Sequence, residues 1–273
     1  MRQGIFVLSI MAALLALTGT VRSDELSPGK LVKTQLEVDA LSTLNDLNVT
    51  PDQLAAISDL SAGAAGAEPA PPAEVNANYA AALSALRDAI LTRDEDKIDA
   101  AQQHVSDLED QLDIDTPTPE LTDAACAKVP DALKLFSPHQ VAEYLAQNAD
   151  DFPDVQALLS EAIDECRGLA KDQFADLRDD VADEISTVAG FKPTAAGKPP
   201  IHQKIVSFLN RVHALSDDDF KTQRAALGDE AKGLVKDIPA ISGIRNWFEH
   251  ELAELLANPE LPRAIEEYQK ALP

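Results

Sequence analysis

Apolar side chains along this chain return every three or four residues and almost nowhere every second one. Ile98, Ala101, Val105, Leu108 and Leu112 repeat in this way, and Val155, Leu158, Leu159, Ile163 and Cys166 do so after Pro153. A period near 3.6 places such residues on one face of an α-helix, whereas a half-buried strand needs alternation. The pattern therefore predicts an all-α fold. Narrow seams of this kind are typical of antiparallel helix pairs. The expected architecture is antiparallel helical hairpins in an elongated, loop-interrupted array.

Breakers divide the array. The tract Ala62–Glu74 (AGAAGAEPAPPAE) cannot continue a helix and reads as a flexible connection, and Pro193–Pro200 (PTAAGKPP) is a second breaker. Six segments follow: residues 1–23, N-terminal helices at 24–61, a linker at 62–74, an acidic hairpin region at 75–192, a linker at 193–199, and C-terminal helices at 200–273. Leu169 and Phe174 match Leu215 and Phe220 in spacing after two turns, and Arg178 matches Arg224. These correspondences read as two or three divergent copies of one helical hairpin.

The first segment reads as a signal peptide. Arg2 precedes a mostly apolar run from Ile5 to Leu17, too short for the ~20 residues that span a bilayer. Val21 and Ser23 suit a cut before Asp24. An exported protein without a membrane anchor after cleavage, periplasmic or secreted, is the expectation. In an oxidising compartment the two cysteines, Cys126 and Cys166, would form a disulfide, the alternative being two small buried hydrophobes. Closing that loop would stabilise by roughly 4 kcal/mol on a chain-entropy estimate.

Charge limits the partners. The chain carries 47 Asp and Glu against 23 Lys and Arg. Binding to nucleic acid through phosphates, or to anionic lipid through a basic surface, needs the opposite balance. Loss of Arg2 and Arg22 with the signal brings the net charge from −24 to −26. Residues 198–273 hold 12 acids and 10 bases, so nearly all of the excess lies upstream.

No catalytic constellation is legible. The histidines His104, His139, His202, His213 and His250 make no HExxH, HxxxH or HxH, so no metal site is set by histidine spacing. His250 and Glu254 share a helical face, but read best as a solvated pair. Asp94-Glu95-Asp96 and Asp217-Asp218-Asp219 lack the alternation and the glycine of an EF-hand. They read as acids favouring helix starts. Nothing indicates a nucleotide cofactor. Trp247 and Phe248 form the densest aromatic pair, a contact patch for a partner or an anchor for the last helices.

Two helix starts are near copies. Thr50-Pro51-Asp52-Gln53 and Ser137-Pro138-His139-Gln140 each read as a capping box with proline in the first helical position. Thr92-Arg93-Asp94-Glu95 is a third candidate, at a turn between helices. In their wider form, L-N-V-T-P-D-Q (Leu47–Gln53) and L-F-S-P-H-Q (Leu135–Gln140), the first two resemble the twice-occurring LTxxQ signature of Spy/CpxP-type proteins. That resemblance implies a periplasmic all-helical protein associated with envelope stress, metal sensing or ATP-independent chaperoning. It makes Thr50, Gln53, Ser137 and Gln140 structural capping residues. The expected function is an exported, non-enzymatic helical interaction protein with a protein partner and no cofactor, chaperone-like or envelope-stress-associated. The alternative is a metal-responsive or cation-binding envelope protein, suggested by the acids and histidines.

Overall fold

The computed structural model describes residues 27–112, 114, 116–148, 152, 154–190, 200–238 and 240–272. The segment read as a signal peptide and the linker at 193–199 lie outside the described residues. Those described are all-helical, with twelve α-helices: α1 (Pro28–Asp46), α2 (Pro51–Ser61), α3 (Ala77–Thr92), α4 (Glu95–Leu112), α5 (Asp123–Ala132), α6 (Pro138–Gln147), α7 (Val155–Glu165), α8 (Lys171–Val188), α9 (Pro200–His213), α10 (Asp217–Val235), α11 (Ala240–Ala257) and α12 (Leu261–Ala271). No helix among them is long and apolar enough to cross a membrane.

Local chemistry explains most of the helix starts. Ser27, Thr50, Asn76, Thr122, Ser137, Asp154 and Ser216 each accept a hydrogen bond from a first-turn amide that the helix leaves without a partner. Asp217, Asp218 and Asp219 occupy the first turn of α10, as acids at a helix start should. The third capping box does not form. Thr92 is the last residue of α3, and its hydroxyl donates to the Ala89 carbonyl. Arg93 ends the helix in the left-handed region at φ 54, so the amides of Lys97 and Ile98 find the carbonyl of Asp94. The hairpin α3–α4 is thus closed by two residues.

Two apolar cores organise the packing. The first draws on α1 to α6 and on α11 and α12, around Leu41, Leu44, Ile57, Tyr79, Ile90 and Tyr268. The second is built by α7 to α10, around Leu159, Ile163, Ile185, Leu209 and Val212. The chain thus leaves the first core after α6, builds the second, and returns to complete the first. At the return, the Asn246 side chain donates to the Val188 carbonyl at 2.9 Å. A Cβ on Gly243 would stand 2.8 Å from Val188 Cγ1, so only glycine lets α11 approach α8 this closely.

Two polar devices tie the first core together. Glu37 on α1 is buried, and its carboxylate meets Arg87 of α3 at 2.7 Å and Arg263 of α12 at 3.3 Å. The Tyr79 hydroxyl donates to Glu109 of α4 at 2.7 Å and accepts from Gln35 of α1 at 3.0 Å. Tyr79 is the sole aromatic between Asp24 and Pro130. It therefore joins three helices through one side chain.

The tract Ala62–Glu74 is fastened where composition suggested flexibility. Its Ala62 and Ala64 carbonyls accept from Lys128 and Thr122, and the Gly66 amide donates to Ala257 at 2.7 Å. A Cβ on Gly66 would fall on the Glu120 carbonyl. Backbone groups of an unhelical segment must find partners somewhere, and here other segments supply them.

Candidate functional site

The two copied helix starts face each other. Within each box the glutamine carbonyl accepts from its own N-cap amide, Gln53 from Thr50 and Gln140 from Ser137. Each amide group then reaches across, and the two side chains exchange reciprocal hydrogen bonds of 3.1 Å. Gln53 also donates to the Leu135 carbonyl at 2.6 Å, and Gln140 to that of Leu47 at 3.1 Å. Segments 87 residues apart are thereby locked by one pseudo-symmetric amide pair. Replacing either glutamine with Ala is expected to destabilise by about 1–2 kcal/mol. The double variant should cost less than the sum, because both lose the shared pair. Urea unfolding of the four proteins measures this, and strict additivity would contradict the coupling.

A recess of about 670 Å³ opens between the start of α1, the Pro69–Asn76 stretch and the end of α4. Leu31, Val32, Pro72, Val75, Leu112 and Ile114 form the apolar half of its lining, and Gln35, Glu74 and Asn76 add polar groups. Among the described residues Leu112 is the one large hydrophobic side chain recorded as exposed, and it stands in this wall. The surrounding chain is acidic: 67–76 and 108–120 together carry seven acids and no base.

The aromatic pair Trp247 and Phe248 packs beside α6. Phe248 is buried, with its ring 5.3 Å from Tyr144 of α6. Trp247 is half-buried, 6.2 Å from Tyr144 and edge-on to Phe152 at 6.3 Å. The four rings hold α11 against α6 and Phe152, with Trp247 and Phe152 in the edge-to-face arrangement that aromatic quadrupoles favour.

The cysteines correct an expectation. Cys126 packs at the margin of the first core and Cys166 lies buried in the second, and no disulfide joins them. Bridging needs Cα atoms within about 7 Å, a demand that sequence parity says nothing about. Burial pushes the Cys166 thiol up from its usual range.

The histidines are scattered, with one exception. His104 and His139 are exposed on α4 and α6, and His139 pairs with Glu143 at 3.2 Å. His202 is buried with Nε2 3.1 Å from Asp183, while His213 stacks on Phe174 at 4.0 Å. His250 is different. With Glu251 and Glu254 on the same helix it forms a group whose donor atoms lie within 4.8 Å of one another. The pair expected to be solvated is in fact half-buried, with His250 Nδ1 3.7 Å from Glu254 Oε1.

Helix α1 adds a further acid to this group. Burial pushes the Glu254 carboxyl up to about 8, and the charges of Glu251 and Asp39 add to the shift. Asp39 is exposed as a residue, although protein atoms crowd around its carboxyl. That crowding raises its carboxyl to about 6, partly offset by a hydrogen bond from Asn258. Burial lowers His250, favouring the neutral imidazole. Asn258, itself buried, donates to the Leu36 carbonyl at 2.8 Å and to Asp39 at 3.4 Å, and its own carbonyl caps the Glu260 amide. The helical spacing of α11 already put His250 and Glu254 on one face, but did not single out Glu251. Nothing in the sequence announces Asp39. No family model matches this chain, and none of the curated proteins or solved structures compared with it matches either.

Proposed function

We propose that this protein is an exported, non-enzymatic helical interaction protein, chaperone-like or associated with envelope stress. Its recess takes an apolar, positively charged segment of another protein. The observation that carries the reading is Leu112, an exposed large hydrophobic side chain set among the apolar residues of a concave, half-polar wall. An extended segment with leucine-like side chains buries surface there at about 25 cal/mol per Å² of apolar area. The prolines of one wall offer no amides that would need partners. The acids of the two wall segments select for Lys or Arg in the segment bound, and repel an acidic one.

Leu112→Glu tests this, because the side chain lies at a helix end and its replacement leaves both cores intact. The wild-type protein should bind a labelled Leu/Lys peptide, ignore a Leu/Glu peptide, and suppress aggregation of an unfolding client at several-fold excess. Leu112→Glu should lose at least about tenfold in peptide affinity, roughly the 1.4 kcal/mol of one buried anchor. Added salt should weaken binding by screening the charge term. Equal binding by the variant, or an unchanged aggregation curve with the wild type, would remove the proposal.

A further inference from the structure

We propose that His250, Glu251 and Glu254 bind a first-row divalent transition-metal ion, with zinc as its representative. One donor atom from each residue lies within 4.8 Å of the other two. Ligand atoms bound to zinc at about 2.0–2.2 Å stand roughly 3–3.5 Å apart. The His250–Glu254 separation of 3.7 Å is therefore within a rotamer adjustment of ligation. Their spacing is that of the two metal-binding histidines in HExxH helices. Here the run reads His250-Glu251-Leu252-Ala253-Glu254, with a carboxylate in the place of the second imidazole.

The donor set decides the class of ion. One imidazole nitrogen with two carboxylates suits zinc, cobalt, nickel or manganese, whereas calcium takes six to eight oxygen ligands. All three side chains are half-buried on a helix that completes the first core, unlike the exposed acids that decorate many surfaces. The corner after α11 is held by buried Asn258, which reaches the Asp39 side chain on α1. Asp39 thus brings a carboxylate from a second helix near enough for its charge to act on Glu254, as an outer partner of a metal site would. The site makes no use of the Leu112 recess, and stands or falls separately from the interaction role.

Calorimetry of the purified protein with zinc chloride, after treatment with a chelator, tests the site. The expected result is one saturable equivalent at micromolar zinc. His250→Ala and Glu254→Gln should each weaken binding by roughly tenfold to a hundredfold. Glu251→Gln provides a third variant if either of these loses its helical circular dichroism. His139→Ala should bind as the wild type does, because the exposed His139–Glu143 pair has the same spacing without the buried surroundings. Absence of saturable heat from the wild type overturns the proposal, as does wild-type affinity in the folded ligand variants. Calcium binding as tight as zinc, or an equal loss in His139→Ala, overturns it as well.

Discussion

Replacing Glu37 with Ala is expected to destabilise the protein by about 3–5 kcal/mol, the cost of removing one partner from a buried ion pair. The carboxylate is 1% exposed and meets two guanidinium groups, those of Arg87 and Arg263. Arg87 is itself largely shielded, and without Glu37 it retains Asp88 and Glu267 at 3.5 and 3.4 Å. Those contacts are longer and more exposed, so they offset only part of the loss. The effect should therefore fall toward the lower end of the range. Urea unfolding measures it, read as a shift in midpoint at constant slope. The pair Glu37→Leu with Arg87→Leu should recover much of the stability, because no uncompensated charge is then left inside. A Glu37→Ala protein within about 0.5 kcal/mol of the wild type, the range of ordinary surface substitutions, would mean that the network contributes nothing to the fold.

Stability should rise, not fall, as the pH is lowered from 8.5 toward 6 in the presence of a chelator. Most carboxylates in folded proteins are held low, and their stabilisation is lost on acidification. Glu254 and Asp39 are shifted the other way, from 4.5 to about 8 and from 3.8 to about 6. A raised carboxyl pKa means that the folded state holds its proton more tightly than the unfolded chain does. The penalty is absent below the unfolded pKa and complete above the folded one. It is thus relieved as the pH drops through 8 for Glu254 and through 6 for Asp39. The groups facing this pair are His250, Glu251 and Asn258, of which Glu251 adds repulsion and Asn258 a hydrogen bond. His250 sets the lower limit of the effect. Its pKa is lowered by burial, so charging it below its usual range costs stability again.

The gain down to pH 6 is of the order of 3 kcal/mol, less than the full shifts represent, because Glu254 is relieved only over the range from about 8 to 6 and Asp39, exposed and screened, has barely begun. Glu254→Gln removes the largest part. That variant should be more stable than the wild type at pH 8 and show a flatter profile. Thermal or urea unfolding across pH provides the measurement. A wild-type stability that declines steadily from pH 8 to pH 6 would refute the assignment of crowded, mutually repelling acids.

Much of the fold was legible from local chemistry. Periodicity placed the helices, and Thr50 and Ser137 cap theirs as T-P-D-Q and S-P-H-Q indicate, since a capping box needs only residues three apart. The third box was misread for an equally local reason. A left-handed Arg93 made the hairpin turn tighter than the motif allows, and Asp94 took over the cap. The candidate site was half legible, because His250 and Glu254 share a helical face whatever surrounds them.

What the chain could not disclose on its own is who stands opposite whom. Helical period and caps depend on neighbours within one turn, so the amino-acid sequence alone indicated most of the helix-forming stretches and several of their starts, though not α5, which carries Pro130 inside it. Only the tertiary structure decided that Gln53 would meet Gln140, that Glu37 would be buried between two arginines, and that Asp39 would crowd Glu254. It also decided that Cys126 and Cys166 would lie in different cores, and that α11 and α12 would return to close the first. Each of these depends on contacts between residues distant along the chain. They are set by which apolar faces bury each other, and period and composition leave that choice open.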